Sequence, residues 1–99
     1  MKMTFIVQNH YYLARMMQLL TDAGIDYYTR WDEVKGKGHG TEAHLGKGGA
    51  PGTNSVFMIA FSDEALLESL IQKITAANVE IKRDDDKIRL FQLPLDRIV

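Results

Sequence analysis

Apolar and polar positions alternate from the start of the chain. Over residues 2–8, Met3, Phe5 and Val7 point one way and Thr4, Ile6 and Gln8 the other, the period-two pattern of a strand. An apolar Ile6 on the second face places this strand centrally in a sheet. Asn9 is expected to cap the helix that follows, because its side-chain oxygen can accept from an orphan amide of the first turn. From 11 to 23 the period becomes helical, with Leu13, Met16, Met17, Leu20 and Ala23 on one stripe. Gly24 stands where a helix end needs a left-handed residue. A second strand is predicted over 25–35, with Tyr27, Thr29, Trp31 and Glu33 on one face and Tyr28, Arg30, Asp32 and Val34 on the other. Residues 55–61 are nearly continuous in apolar side chains and read as a buried strand.

Ser62 is expected to cap a second helix, with Asp63 and Glu64 in its first turn and Leu66, Leu67, Leu70, Ile71 and Ile74 on its apolar stripe. Asn78 is its expected exit. Residues 79–81 read as a short extended piece and 82–87 as a charged hairpin tip. Residues 88–93 form the last predicted strand, ended by Pro94, which cannot donate to a ladder.

The order β-α-β, loop, β-α-β defines an α+β chain with the ferredoxin-like βαββαβ arrangement: an antiparallel sheet with two helices on one face. Its 99 residues suit one domain spanning 1–99. The other sheet face then needs cover, since Phe57 and Ile59 or their opposite-face neighbours would otherwise be left in water, and such a patch usually means association. The tail over 95–99 is apolar and is expected to dock on a neighbouring copy. Residues 36–53, which hold most of the chain's glycines, form a long loop between the second and third predicted strands. A loop of this length in so short a chain is uncommon and tends to be functional. It is expected to be mobile when free and to wrap a ligand when bound.

Composition narrows the function. The chain has no cysteine, so disulfides, thiolate metal sites and thiol catalysis are excluded. Its formal net charge of −1 argues against non-specific nucleic-acid binding, which needs a cationic surface. No apolar run approaches the ~20 residues of a membrane helix, and the first residues alternate instead of building a secretory core. The expectation is a cytoplasmic protein that is not integral to a membrane.

Candidate chemistry gathers in and around the loop. Residues 40–48 look superficially like a phosphate-binding P-loop, but that motif needs glycine at Thr41, a hydroxyl residue at Gly48 and a following helix, where a strand follows here. His39, Glu42 and His44 could bind zinc, copper or nickel through imidazole and carboxylate, or simply be solvated loop residues. Asp84, Asp85 and Asp86 could chelate a hard cation, but flanked by Arg83 and Lys87 they read more economically as a charged turn. Nothing along the chain assembles a nucleophile, a base and an oxyanion site, so no enzyme is expected.

At the mouth of the loop stands Glu33-Val34-Lys35-Gly36-Lys37-Gly38. Together with the element order, this resembles the PII signal-transduction family, whose chains carry E-V-K-G-x-G just before a long T-loop. The resemblance runs on through Phe61-Ser62-Asp63-Glu64 into the second helix. It continues in Asp86-Lys87-Ile88, similar to the D-G-K-I closing the family's B-loop, and in Leu93-Pro94-Leu95-Asp96-Arg97. It implies a homotrimer whose sheets face one another, with a small effector, ADP, ATP or AMP, sensed in clefts between subunits. It also implies control of a partner enzyme, transporter or channel through the T-loop. Gly36 and Gly38 would approach the nucleotide through their backbones, and Lys87 would meet its phosphates. The chain departs from the family in places. Lys82-Arg83-Asp84-Asp85 replaces the glycine-rich B-loop, Arg30 stands where a threonine is usual, the basic R-x-R segment has no counterpart up to Val99, and the loop has no tyrosine to modify. The alternative reading is a metal-binding, metal-tolerance protein of the related CutA type, using His39, Glu42 and His44.

Overall fold

The computed structural model describes residues 1–38 and 52–99. The elements run β1 (Lys2–Asn9), a 3-10 turn (His10–Tyr12), α1 (Leu13–Asp22), β2 (Thr29–Val34), β3 (Asn54–Phe61), α2 (Glu64–Glu80), a second 3-10 turn (Asp84–Asp86) and β4 (Arg89–Pro94). The strands form one sheet in the order β2-β3-β1-β4, and every ladder is antiparallel. This is the ferredoxin-like α+β arrangement expected from the element order, with β1 central between β3 and β4.

The side-chain period sorts the sheet into two faces. Thr4, Ile6 and Gln8 of β1 and Ser55, Phe57, Ile59 and Phe61 of β3 are buried, packed under Met16, Leu19 and Leu20 of α1 and Leu67, Leu70, Ile74 and Ala77 of α2. Burying each such aliphatic or aromatic side chain contributes roughly 1.5–3 kcal/mol, so this layer supplies most of the cohesion. The covered face of β1 is the more polar one. Thr4 meets that cost by donating its hydroxyl to the Ile59 carbonyl at 2.9 Å. Met3, Phe5 and Val7 occupy the opposite face and are only partly buried.

α1 ends as its glycine requires. The Ile25 amide donates to the Leu20 carbonyl at 2.9 Å and the Gly24 amide to the Thr21 carbonyl at 3.0 Å, with Gly24 at φ 76°. These crossed bonds make a Schellman cap, and the buried Ile25 packs back on the helix's last turns. Ile25 therefore belongs to the helix cap. β2 begins four residues later than the expected strand, at Thr29.

Other boundaries also shift. Asn9 does accept from the Tyr11 amide, but it caps the 3-10 turn, and α1 proper starts at Leu13. The cap of α2 is Asp63, whose carboxylate accepts from the Ala65 and Leu66 amides at 2.9 and 3.2 Å, and not Ser62. α2 continues through Glu80, overriding the extended piece expected over 79–81, because Ala77 and Ile81 complete its buried stripe. The aspartates 84–86 consequently link a helix to a strand and form no hairpin tip. Pro94 lies within β4, which is an edge strand where a missing donor is tolerated.

β2 departs from simple alternation. Trp31 pairs with Val56 and Val34 with Asn54, so three steps along β2 match two along β3. The extra residue makes a β-bulge, and Glu33 within it has φ 59°. Val34 therefore shares the face of Trp31, and the expected grouping of Trp31 with Glu33 fails at the bulge.

Candidate functional site

One end of the sheet gathers the polar chemistry. There β1 finishes at Asn9, β3 starts at Asn54, and β2 runs out toward Gly36. Asn9 pairs in register with Asn54. A Cβ placed on Gly36 would stand 2.9 Å from the Asn54 Nδ2. Glycine at 36 thus admits the Asn54 amide, the flexible end of a side chain that a Cβ at 36 would displace. On the other side, Asn9 Nδ2 donates to Asp86 Oδ1 at 3.3 Å. The mouth of the loop and the Asp84–Asp86 turn consequently lie at the same end of the sheet, with β2 and β4 three strand spacings, roughly 14 Å, apart. Of the residues expected to hold a nucleotide, Gly36 stands at this mouth with Gly38 two residues on, and Lys87 closes the turn.

Lys87 is engaged. Its Nζ lies 3.0 Å from Asp84 Oδ1. The Arg83 guanidinium meets Asp85 through Nε at 3.3 Å and Nη2 at 3.1 Å, and reaches Asp86 at 3.9 Å. This fork-like contact holds the carboxylates in fixed positions. The turn carries three cations, Lys82, Arg83 and Lys87, against three carboxylates.

A second polar chain crosses the helix side of the same end. Arg30 Nη2 meets Asp32 Oδ2 at 3.1 Å, the Ser55 hydroxyl donates to Asp32 Oδ1 at 3.1 Å, and His10 Nδ1 lies 3.1 Å from Ser55 Oγ. Because the Ser55 proton goes to Asp32, His10 must supply the hydrogen in its own contact with Oγ. That is the reverse of what a general base does to a nucleophile. The fully buried Ser55 is accordingly a tether between strands. His10 is further fixed by its backbone amide, which donates to the Thr53 carbonyl at 2.9 Å. Sequence reasoning missed this chain because its members come from three separate elements. The one local signal was a histidine directly after a capping asparagine.

His39, Glu42 and His44 lie outside the described residues. Among the described residues no group of three or more histidine or acidic side chains is arranged to hold a metal. Among the described residues, hollows open elsewhere. One of about 460 Å³ lies between the end of α1 and the approach to β2, beside Gly24 and Tyr28; one of about 370 Å³ lies beside Tyr11, Tyr12 and the Arg15–Glu80 ion pair. Neither includes Gly36, Gly38 or Lys87. No helix among the described residues is long and apolar enough to cross a membrane.

The architecture is thus a ferredoxin-like sandwich with its loop mouth and an acidic-basic turn at one end of the sheet. No protein-family profile and no curated protein sequence matches the chain. Solved structures do. CPII from Thiomonas intermedia K12, a nitrogen regulatory PII-like protein in a complex with ADP, AMP and bicarbonate, superposes with a TM-score of 0.69 at 18% identity, over 97% of this chain and 88% of that one. Its apo form gives 0.65 at 17% identity, over 93% and 85%. The chain therefore has the fold of a PII-like protein.

Proposed function

We propose that the chain is a divergent PII-like regulator: a homotrimer that senses a small effector, an adenine nucleotide, between subunits and acts on a partner protein through the segment between β2 and β3. The observation carrying this reading is the sheet face left open by both helices. Trp31, Phe91 and Leu93 are 46%, 56% and 50% exposed on it, beside the partly buried Met3, Phe5, Val56 and Met58. A contiguous apolar face of this kind calls for a partner surface. Sheets packed against one another in a closed symmetric assembly would cover it and bring neighbouring loop mouths to the subunit boundaries.

The shared fold supports the same reading, since CPII is described with ADP, AMP and bicarbonate. Gly36 stands against the Asn54 amide at the loop mouth, where the resemblance implies a nucleotide's approach. By the family resemblance Lys87 would meet a phosphate, exchanging Asp84 for the ligand. That exchange is feasible because Asp84 is 82% exposed and a solvated ion pair of this kind is worth at most about 1 kcal/mol.

The test combines sedimentation velocity with a thermal-shift series of AMP, ADP, ATP, bicarbonate, zinc and copper. The expected result is a trimer stabilised by a nucleotide; a ligand present at about 100 times its Kd adds about 2.7 kcal/mol. A monomer indifferent to every nucleotide would overturn the proposal.

A further inference from the structure

We propose that Met17 is a peroxide-oxidation site, whose methionine sulfoxide is received by the Tyr28 hydroxyl and the Arg30 guanidinium and tied through Arg30 to the stem of the loop. The proposal is independent of what the loop mouth binds.

A thioether sulfur is a weak acceptor, yet two donors converge on that of Met17. The Tyr28 hydroxyl donates to Sδ at 3.7 Å and Arg30 Nη1 at 3.8 Å. Packing aims the first of them, because the Tyr28 ring stands edge-on to Phe57 with centroids 5.1 Å apart. Met17 is half-buried on α1 and lines the hollow of about 460 Å³ beside Gly24 and Tyr28, room enough for a small peroxide. Its neighbour Met16 is 0% exposed.

The chemistry needs only hydrogen peroxide. A sulfur lone pair attacks one peroxide oxygen, the S–O bond forms and the O–O bond breaks. The proton of the transferred oxygen passes to the departing one, which leaves as water. Sulfur is oxidised by two electrons and the peroxide is reduced by two. A sulfoxide usually disrupts packing, because its oxygen is polar and costs free energy when buried without a donor. At Met17 the new oxygen, a far better acceptor than sulfur, emerges where two donors already point, and the bond from Arg30 is charge-assisted. Arg30 also spans two partners, with Nη1 on Met17 and Nη2 on Asp32 Oδ2 at 3.1 Å. Asp32 lies within the β2 bulge and accepts from Ser55. Oxidation on α1 is thereby passed to the strand that leads into the loop.

The test treats the purified full chain with hydrogen peroxide, separates the species oxidised at Met17 alone and locates each sulfoxide by peptide mass spectrometry. Met17 should be oxidised well ahead of Met16, and the Met17-oxidised protein should melt within about 3 °C of the reduced form. Tyr28→Phe and Arg30→Leu each remove one donor and leave the thioether in place. In either variant the same oxidation should lower the melting temperature by roughly 4–8 °C more than in wild type, the effect of one missing hydrogen bond in a chain this small. Comparing oxidised with reduced protein within each variant cancels what the substitution itself does to the fold. Tyr27→Phe removes a hydroxyl one residue away and should leave the oxidation penalty at its wild-type value. Oxidation should also shift the Asp32 and Ser55 amide resonances in wild type and not in Arg30→Leu. A penalty equal in wild type, Tyr28→Phe and Arg30→Leu would overturn the proposal, as would a Met17 that resists peroxide as Met16 does. Resonances unmoved in wild type would overturn the tie to the loop.

Discussion

Asn78 completes the sheet-side hydrogen bonding of Ile88 with both ends of its amide: Nδ2 donates to the Ile88 carbonyl and Oδ1 accepts from the Ile88 amide, each at 2.8 Å. A residue near the end of α2 thus acts as a one-residue strand against the chain entering β4, ten positions later. Ile88 is 2% exposed, so its backbone groups have no easy recourse to water. Asn78→Leu should cost about 2–4 kcal/mol in urea unfolding, reflecting two lost bonds and two stranded backbone groups. Asn78→Asp keeps the acceptor but lacks a donor while ionised. Its deficit relative to wild type should shrink as the pH falls toward about 4, where a protonated carboxyl can donate again.

The start of α2 offers a test between neighbours. Asp63 accepts from the Ala65 and Leu66 amides, whereas the exposed Ser62 precedes the cap. Asp63→Ala should lower stability by about 1 kcal/mol, and Ser62→Ala by less than about 0.5 kcal/mol. Equal losses in chemical denaturation would return the cap to Ser62.

Gly24 isolates backbone strain from crowding. Its φ is 76°, and a Cβ there would meet nothing within 4 Å. Gly24→Ala should therefore cost about 1–2 kcal/mol through conformation alone. Gly24→Asn should cost less, since asparagine tolerates the left-handed region. Thermal melting of the pair checks the order.

The open sheet face makes a prediction about assembly. Phe91 sits opposite Phe5 in the β1–β4 ladder and is 56% exposed. Phe91→Glu should leave the far-ultraviolet circular dichroism unchanged and reduce the sedimentation coefficient to that of a monomer. Val79→Glu, on α2 and 82% exposed, should alter neither.

The order of elements, the Gly24 cap and the two helical stripes were legible because each rests on local periodicity or on one residue's conformational need. The end of α2 was less so, since Val79 favours strands and only the burial of Ala77 and Ile81 against the core overrides that preference. Ser62 and Asp63 are both good caps, and geometry alone chose between them. The covered face of β1 was also hidden. By hydrophobicity Met3, Phe5 and Val7 should face the helices, yet Thr4, Ile6 and Gln8 do so. At the candidate site, the glycines and Lys87 could be picked out by resemblance. The His10–Ser55–Asp32 chain joins residues 45 and 23 positions apart, and no local pattern announces it.

The bulge in β2 acts as a phase counter for the segment beyond it. Because one residue is set aside between Trp31 and Val34, every position after it lies on the opposite face from the one simple counting assigns. Gly36 thereby turns its vacant side-chain position toward Asn54, and a bulkier neighbour does not. Length changes should then be felt very unequally. Losing Asp32 or Glu33 should remove the extra residue and leave Val34 opposite Asn54 in simple alternation, whereas losing Lys35 should bring Lys37 to the place of Gly36 beside Asn54. The bulge should therefore absorb the loss of one residue without disturbing the loop mouth, while an odd change between Val34 and Gly36 should not be absorbed.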